Sequence, residues 1–453
     1  MLLGPFIAVS LVATIGYSFA VPPSERTSNT KLLLSDRELR AELVVEGIDF
    51  PAALTFLGPN DILVLEKDKG IVRRIVDGDM VSEPLLDLKQ PGVGESGLVG
   101  IAIANSEQNH KLGNNSARIF LYISEALNKD TTQPYDYPPG NRIYSYEFVN
   151  ERLINPKLLL DLPIGDSIHN GGKLVIGPDN NLYATVGDIG RFESNTFPKT
   201  LNNQEGQEPD GTGGILRMTQ DGRPVLEKGS GILGSEHPLN LYYAYGIRNS
   251  FGIDFDPLTG NLWDSENGVE SKDEINLVEP GFNSGWKEIQ GMSFSEKGFN
   301  PAQLVNFNGK GSYSDPEFAW YGSKAVGPTA LKFLTSDKLG KEYQNDIFVG
   351  DFNNGYIYHF ELNEDRTKLS LNGSLDNNTM DMQEDSMQRE LFAKGPGSIT
   401  DIQVGPDGYM YVLTLLLKGS DCDPDEIGCV ADNNSKIKGA IFRIVPADPK
   451  LVP

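Results

Sequence analysis

The chain has 453 residues, of which 39% are hydrophobic, 9% aromatic and 23% charged, and this composition excludes wholesale disorder, collagen and a coiled coil. Glycine and proline supply 49 and 28 residues, which favours many short strands and turns over long helices. The formal net charge of −24 repels a phosphate backbone, which excludes nucleic-acid binding as a main function. We therefore predict a folded, strand-rich protein with no nucleic-acid partner.

The N-terminal segment has the features of an export signal. Residues 1–20 carry no charged side chain and are almost wholly apolar, and they end in the small-x-small pattern Ser18-Phe19-Ala20. We predict a secretory signal peptide cleaved after Ala20 or, because the stretch is just long enough to span a bilayer, a retained anchor. Residues 21–40 are polar, and we expect a flexible lead-in there. The protein is thus expected to be extracytoplasmic, that is secreted, at the cell surface or in a periplasm-like compartment, with any membrane attachment confined to the N-terminal segment.

The chain contains two cysteines, Cys422 and Cys429. In an exported protein, two cysteines at this spacing most simply form one disulfide that closes a small loop. Metal ligation by the two thiolates is the alternative, and it is less favoured because no histidine lies nearby. Acidic residues in the same loop offer oxygen ligands for Ca²⁺; they are Asp421, Asp423, Asp425 and Glu426.

A strand–turn–strand phrase recurs along the chain. Its clearest copies read LVIGPDNNLY and IQVGPDGYMY, and each has a Gly-Pro-Asp turn between two apolar strands, as expected of a β-hairpin. The copies cover residues 54–63, 174–183, 253–262 and 402–411. Hairpins that recur over most of a chain are typical of propeller blades. We predict an all-β, six-bladed β-propeller that forms a single domain over residues 41–453.

Two positions carry the side chains most suited to chemistry. His169 stands in the loop of residues 165–172, just before a repeated hairpin, and such loops line the mouth of a propeller channel, where ligands bind. A histidine there can act as a general base near neutral pH; a purely structural hydrogen bond is the alternative. Arg248 supplies a permanent charge for an anionic or carbonyl oxygen. Asp273 and Glu274 offer ligands for Ca²⁺, or a structural ion pair with Arg248.

Several motifs follow one another between residues 44 and 445. They are Gly94–Gly100, the His169 loop with Gly187–Gly190, Gly214–Arg217, Tyr245–Asn249, Asp273–Asn276, Asn283–Trp286 and Gly405–Gly408. In this order they resemble the soluble quinoprotein glucose/sorbosone dehydrogenases, including the bacterial aldose sugar dehydrogenases. The resemblance implies a six-bladed propeller that uses pyrroloquinoline quinone (PQQ) and Ca²⁺ to oxidise aldose sugars or related polyols. It also implies a small-molecule sugar substrate and an external electron acceptor.

The resemblance further implies roles for single residues. His169 matches the base that takes the proton from the anomeric hydroxyl as hydride passes to the quinone. Arg248 and Asn249 match residues that contact the cofactor and the reacting carbon. The backbone carbonyls of Gly268 and Val269 match those that hold the Ca²⁺ ion on PQQ. Other matches are Asp273, Glu274 and Ser284 around a further Ca²⁺ site, and Glu95, Asn353 and Thr400 beside the cofactor.

The sequence departs from the family pattern where PQQ needs positive charge. Asn353, Ser398 and Thr400 stand where the family has a lysine and two arginines, although PQQ carries three carboxylates whose burial needs cationic partners. Each lost charge-assisted hydrogen bond costs about 1.5–3 kcal/mol. Ile168 and Ile189 also replace an acidic and a polar residue of the family. Cations that can compensate from other loops are Lys173, Arg191, Lys324 and Lys394.

Two other functions are compatible with the same sequence. A non-catalytic extracellular propeller that binds a partner is favoured by the missing cations and opposed by the retained His169, Arg248 and Asn249. A Ca²⁺-dependent lactonase-type hydrolase needs carboxylate and amide ligands that converge on the channel axis. Candidates for that ligand set are Glu95, Asn249 and Asp351.

Overall fold

The structure is a computed structural model, and its elements are β-strands joined by turns and short 3₁₀ helices. It describes residues 31–89, 92–104, 116–126, 139–190, 197–269, 271–322, 325–371, 375, 378–381, 390–416 and 438–447. No α-helix occurs in these residues, and none of their helices has the length and apolarity needed to cross a membrane. The 3₁₀ helices are Lys67–Lys69, Lys199–Leu201, Leu239–Leu241, Ser293–Ser295, Pro301–Gln303 and Lys341–Tyr343.

The described strands are numbered β1 to β29 in chain order. Those of the first half are β1 (Leu33–Leu34), β2 (Leu39–Asp49), β3 (Pro51–Gly58), β4 (Asp61–Glu66), β5 (Ile71–Val76), β6 (Asp79–Met80), β7 (Leu86–Asp87), β8 (Leu98–Ile103), β9 (Ala117–Ala126), β10 (Pro139–Val149), β11 (Arg152–Ile164), β12 (Leu174–Ile176), β13 (Leu182–Val186), β14 (Gly214–Met218) and β15 (Tyr242–Tyr245). Those of the second half are β16 (Ser250–Phe255), β17 (Leu262–Glu266), β18 (Glu274–Val278), β19 (Phe282–Asn283), β20 (Ser312–Tyr313), β21 (Phe318–Tyr321), β22 (Pro328–Phe333), β23 (Ile347–Asp351), β24 (Tyr356–Phe360), β25 (Thr379–Asp381), β26 (Leu391–Lys394), β27 (Ser398–Val404), β28 (Met410–Leu416) and β29 (Lys438–Pro446).

These strands form six sheets arranged as a β-propeller. Written from one edge strand to the other, the sheets are β3-β4-β5-β6 with β7 on β5, β8-β9-β10-β11, β12-β13-β14-β15-β19-β20, β16-β17-β18-β21-β25, β22-β23-β24-β26-β1 and β27-β28-β29-β2. The first strand of each sheet contacts the first strand of the next, in the closed cycle β3, β8, β12, β16, β22, β27 and back to β3. The predicted all-β propeller is therefore confirmed.

The two ends of the chain meet in the last sheet. Strand β2 pairs with β29, from Leu39 opposite Pro446 to Asp49 opposite Lys438, and this pairing closes the ring. Of the expected flexible lead-in over residues 21–40, the structure describes residues 31–40, and this part contains strand β1 and the start of β2. Strand β1 pairs with β26, and Leu32 is buried just before it. The chain is held there because Leu32 buries its apolar side chain and the backbone of β1 pairs with β26.

All four repeated phrases form hairpins, as predicted. They make β3–β4, β12–β13, β16–β17 and β27–β28, which are the first two strands of four sheets. In the two clearest copies the turn aspartate is held by a tyrosine of the second strand. The hydroxyl of Tyr183 donates to Asp179 (2.9 Å) and that of Tyr411 donates to Asp407 (3.0 Å). The same turn chemistry thus produces the same local structure in different sheets.

The hydrophobic core is divided among the spaces between neighbouring sheets. Each adjacent pair around the ring shares one cluster of buried apolar side chains. For example, Phe120 and Tyr122 of β9 pack with Leu182 of β13 and Leu216 of β14. Because every sheet buries both faces against its neighbours, the ring behaves as one unit.

One ion pair connects opposite sides of the ring. Lys173 precedes β12 and Asp401 lies in β27, and these strands face each other in the cycle; the Nζ–Oδ1 distance is 2.6 Å. The second oxygen of Asp401 accepts the backbone N–H of Leu54 in β3 (2.9 Å). The two charged side chains are only 13% and 1% exposed. The pair therefore joins three sheets at the centre of the propeller.

We predict that Lys173→Met lowers the free energy of unfolding by about 3–5 kcal/mol, because the buried carboxylate of Asp401 loses its countercharge. Urea denaturation followed by tryptophan fluorescence measures this change. The matched control is Lys199→Met, because Lys199 pairs with Glu208, whose side chain is 80% exposed, and exposed pairs contribute about 0–1 kcal/mol. If both variants lose the same free energy of unfolding, the central ion pair contributes no more to stability than an exposed pair does.

Candidate active site

The first strand of each sheet lies on the inner side of the ring, where these six inner strands form the closed cycle. Residues that directly precede three neighbouring inner strands meet at one end of the ring. Glu95 precedes β8, His169 precedes β12 and Asn249 precedes β16. One oxygen of Glu95 accepts both the backbone N–H of His169 (2.6 Å) and the side-chain amide of Asn249 (3.1 Å). The carbonyl oxygen of the Asn249 side chain accepts the backbone N–H of Gly171 (3.1 Å). A single carboxylate thus holds the loops of three sheets together at this end of the ring.

The imidazole of His169 is oriented by a buried carboxylate. Nδ1 of His169 lies 2.7 Å from Oδ1 of Asp188, which follows β13 and is fully buried. The second oxygen of Asp188 accepts the indole N–H of Trp286 (2.8 Å), and Gly190 donates its backbone N–H to the first (3.0 Å). A carboxylate on Nδ1 fixes the proton there and makes Nε2 the basic nitrogen. This is the arrangement that a general base needs.

Arg248 presents a guanidinium with an unused donor. Its Nη1 donates to the backbone carbonyl of Asn267 (3.0 Å), and its Cζ lies 5.6 Å from the ring centroid of Trp286. Its Nε is buried and has no hydrogen-bond partner among the described residues. Burial lowers the pKa of Arg248, and nearby carboxylates, Asp188 first, oppose that shift. A buried donor of this kind is suited to an oxygen of a bound ligand.

His169 and Arg248 belong to the same site. The backbone N–H of Asp188 donates to the carbonyl of Arg248 (2.8 Å), and that of Ile189 donates to the carbonyl of His169 (3.1 Å). Glycine is required at position 187, because a Cβ there would collide with both of these carbonyl oxygens. The two functional residues thus flank one short segment, with Trp286 in contact with Asp188 and Arg248.

A cluster of buried carboxyl groups lies beneath Arg248. Glu266 accepts the backbone N–H of Arg248 (2.6 Å) and the hydroxyl of Ser284 (2.6 Å), and Ser284 also lies 3.4 Å from Glu274. Burial and mutual repulsion raise the pKa of Glu266 well above its usual value, and burial raises the pKa of Glu274 to about 8 and that of Asp264 to about 7. Within the described residues, no group of three or more His, Cys, Asp or Glu has an arrangement that could hold a metal ion. The metal role of Glu274 and Ser284 stays a prediction.

Asp273 fixes the loops beside this cluster. Its carboxylate accepts backbone N–H groups of Gly268 (2.8 Å), Val326 (2.8 Å) and Gly327 (2.9 Å). Burial raises the pKa of Asp273, and these three hydrogen bonds oppose the shift. Val269 follows Gly268 and is 40% exposed. The predicted calcium-binding carbonyls of Gly268 and Val269 therefore lie on a loop with a fixed shape, and their metal role stays a prediction.

The remaining predicted cofactor residues lie on other sheets of the ring. Asn353 is exposed and donates to the carbonyl of Ala325 (3.1 Å), and Thr400 in β27 lies 3.4 Å from the carbonyl of Leu413. Of the candidate compensating cations, Lys173 is paired with Asp401 and Lys394 lies over the ring of Tyr356. Predictions that fall outside the described residues concern residues 1–30, Arg191, Lys324, Cys422, Cys429 and the acidic residues Asp421, Asp423, Asp425 and Glu426.

Two residues of the site were not assigned a role from the sequence. Asp188 and Trp286 both occur in the quoted motifs, but the motifs do not identify Asp188 as the partner of His169 or Trp286 as the partner of Asp188. An acidic residue that directly follows an inner hairpin, at the same end of the ring as a loop histidine, is the signal that would have indicated Asp188. The contact between Asp188 and Trp286 had no sequence signal, because 98 positions separate them.

Asp351, a candidate ligand for the lactonase alternative, is instead fully hydrogen-bonded at the end of β23. It accepts the backbone N–H and the side-chain amide of Asn354 (both 2.9 Å) and the hydroxyl of Tyr358 (3.1 Å). Burial raises the pKa of Asp351 to about 8. The folded protein is therefore expected to hold a proton on this carboxyl group up to a higher pH than the unfolded chain, which loses it at about pH 4.

This proton gives a testable pH dependence. Stability from a carboxyl group with a raised pKa is present at low pH and is lost as the pH rises toward the folded-state value. Relative to Asp351→Asn, the wild type should therefore lose about 1.4 kcal/mol of unfolding free energy per pH unit between pH 5 and 7. Urea denaturation of both proteins at several pH values measures the difference. A constant difference across this range would contradict the buried, protonated state of Asp351.

The chain is similar to known proteins in sequence and to solved structures in fold. It matches the glucose/sorbosone dehydrogenase family over residues 48–420. The chain belongs to the glucose/sorbosone dehydrogenase family. It is 26% identical over 378 residues to the aldose sugar dehydrogenase YliI of Escherichia coli, which covers 83% of this chain and 90% of that protein. It is 28% identical over 320 residues to quinoprotein glucose dehydrogenase B of Acinetobacter calcoaceticus, covering 67% of this chain and 62% of that protein.

The fold also agrees with solved structures of similar proteins. The PQQ-bound aldose sugar dehydrogenase of Streptomyces coelicolor aligns with a TM-score of 0.59 at 20% identity, covering 94% of this chain and 100% of that chain. At this identity the likeness supports the propeller fold alone. Membership of the glucose/sorbosone dehydrogenase family confirms the resemblance drawn from the motifs.

Proposed function

We propose that this member of the glucose/sorbosone dehydrogenase family oxidises an aldose sugar or a related polyol, with PQQ as hydride acceptor and Ca²⁺ as its companion ion. The observation that carries this proposal is the chain of hydrogen bonds from Trp286 through Asp188 to His169, beside the buried guanidinium of Arg248. The printed names of the relatives, an aldose sugar dehydrogenase and a quinoprotein glucose dehydrogenase, support the same reaction class.

The residues divide the reaction between them. Nε2 of His169 takes the proton of the reacting hydroxyl, and Asp188 stabilises the imidazolium that forms. The carbon that bears this hydroxyl loses its hydrogen as a hydride, because the electron pair of the C–H bond leaves with the hydrogen. The alcohol carbon thereby becomes a carbonyl carbon. PQQ, when bound, supplies the acceptor for this hydride. Arg248 donates to an oxygen of the reacting groups, which stabilises the negative charge that develops there.

The residues present fit the reacting end of such a cofactor. The Nε of Arg248, which has no hydrogen-bond partner among the described residues, is suited to an acceptor oxygen, and Asn249 shares Glu95 with His169. At the carboxylate end, Asn353 and Thr400 would hold the cofactor as neutral donors, and the carbonyls of Gly268 and Val269 would hold Ca²⁺. A neutral hydrogen bond contributes about 0.5–1.5 kcal/mol against about 1.5–3 kcal/mol for a charged one. We therefore expect PQQ to bind more weakly than in a site with three cations.

We also infer features of the chain outside the site. Five of the blades are distinct as propeller blades. We infer that the six sheets make six blades, because the first strand of each sheet takes part in the closed cycle. The propeller would then span residues 41–453 as one domain. Residues 1–20 would direct export, and Cys422 and Cys429 would form one disulfide.

Reconstitution tests the proposed function directly. Purified protein is incubated with PQQ and CaCl₂, and dye reduction is assayed with a panel of aldoses and polyols. Dye reduction that requires both PQQ and a sugar is the expected result. Absence of PQQ uptake at high micromolar concentration would remove the dehydrogenase proposal. Sugar binding without dye reduction would instead support the non-catalytic binding module, which the neutral residues Asn353, Ser398 and Thr400 favour.

A further inference from the structure

We propose that Trp286 is a positioning residue that holds both functional side chains, His169 through Asp188 and Arg248 through its own ring. This inference rests on the proposed function, because it assigns the geometry of the base and the cation to one side chain. Trp286 itself touches neither the proton that is transferred nor the carbon that reacts.

The indole group has two separate contacts. Its Nε1–H donates to Oδ2 of Asp188 (2.8 Å), while Oδ1 of the same carboxylate faces Nδ1 of His169 (2.7 Å). Its ring lies 5.6 Å from Cζ of Arg248. The N–H therefore stabilises the negative charge of Asp188 and fixes the plane of its carboxylate. The face of the indole ring attracts the guanidinium of Arg248. Movement of this one side chain changes both functional groups.

Trp286 is in turn fixed by its own backbone. Its N–H donates to the carbonyl of Gly246 (2.9 Å), and its carbonyl accepts the side-chain amide of Asn202 (2.9 Å). Asn202 and Asn283 form a reciprocal pair of amide hydrogen bonds, at 2.9 and 2.8 Å, and both are buried. Buried and fully paired polar groups of this kind hold one conformation. The backbone that carries the indole is thus held in one conformation.

The variant Trp286→Phe separates the two contacts, because it keeps an aromatic ring and removes the N–H. The matched control is Trp320→Phe. The indole Nε1 of Trp320 is buried and has no hydrogen-bond partner among the described residues, so the same atoms are removed there without loss of a hydrogen bond. Any effect specific to Trp286→Phe is then assigned to the hydrogen bond with Asp188.

The first measurement is independent of enzymatic activity. The proton on Nδ1 of His169 is deshielded by its hydrogen bond to the buried carboxylate of Asp188 and should give a downfield imidazole NMR signal in the full chain. The variant His169→Gln assigns this signal by its absence. We expect Trp286→Phe to shift or broaden this signal and Trp320→Phe to leave it unchanged. Trp286→Tyr, a second variant without the indole N–H, should behave as Trp286→Phe does. An unchanged signal in folded Trp286 variants would overturn the proposal even if the protein proves to be a dehydrogenase.

The second measurement uses the PQQ-loaded protein. We expect Trp286→Phe to lower kcat by about 10-fold, as for one charge-assisted hydrogen bond, with KM nearly unchanged. In the background of Asp188→Asn, which already weakens the same contact, the further loss should be much smaller. Additive losses would show that Trp286 does not act through Asp188 and would overturn the proposal. If the wild type reduces no dye at all, the proposed function fails, while the NMR signal still decides the role of Trp286.

Discussion

His169→Gln should lower kcat/KM for the sugar by about 100- to 10,000-fold, the usual contribution of a general base. Glutamine is close to neutral histidine in size and can still hydrogen-bond to Asp188, but it has no basic nitrogen to take the hydroxyl proton. The loss should appear mainly in kcat, because the backbone N–H of residue 169 keeps its hydrogen bond to Glu95. Steady-state dye reduction with the PQQ- and Ca²⁺-loaded proteins measures both parameters.

The structure offers a matched control for this substitution. His359 also pairs with a carboxylate, since its Nε2 lies 2.9 Å from Asp346, but it belongs to β24 and stacks on Phe348 (4.9 Å between ring centroids). His359→Gln should reduce stability and leave kcat nearly unchanged. If His169→Gln and His359→Gln lose activity equally, or if neither does, His169 is not the base.

Arg248→Leu should lower kcat by about 100- to 1,000-fold, the range found when one donor that stabilises developing charge is removed. The guanidinium lies over the ring of Trp286, and its buried Nε has no hydrogen-bond partner among the described residues. Arg248→Lys should recover part of the lost activity, because it restores a positive charge but not the planar donor fork. Single-turnover rates, measured under anaerobic conditions, separate this effect from product release.

Arg366 provides the corresponding control. It also lies over an aromatic ring, with its Cζ 5.9 Å from the centroid of Phe333, and its Nε donates to the buried carboxylate of Asp256 (2.6 Å). Arg366→Leu therefore removes another partly buried guanidinium from a different part of the fold. We expect it to lower the melting temperature while kcat is retained. Full activity of folded Arg248→Leu would exclude a role for this guanidinium in the reaction.

The fold was largely predictable because its signals are local. A Gly-Pro-Asp turn between two apolar strands needs fewer than a dozen residues, and every predicted hairpin forms. Ring closure had no such signal, since the pairing of β2 with β29 joins opposite ends of the chain. Pairing over a long sequence distance also explains why the sequence predicts a flexible lead-in where the structure has β1. Its partner β26 lies more than 350 positions away, as the hydrogen bond from Ser35 to Phe392 shows.

The candidate site was predictable as a set of residues but not as an arrangement. His169, Arg248 and Asn249 stand in recognisable motifs, and the structure brings them together around Glu95. What orients them comes from long-range packing, as in the contact of Trp286 with Asp188. The ion pair of Lys173 with Asp401 is a second example, because 228 positions separate the two residues. Burial, which raises the pKa of Glu266 and Asp351, is likewise a property of the assembled sheets.

The most direct test of the account is anaerobic mixing of the PQQ- and Ca²⁺-loaded protein with an aldose that carries deuterium on its anomeric carbon. We predict that the ordinary sugar changes the absorbance of the bound cofactor, that deuterium slows this change, and that His169→Gln abolishes it. A wild-type protein that holds PQQ and binds the sugar, yet shows no sugar-dependent absorbance change, would contradict the assignment of this site to hydride transfer.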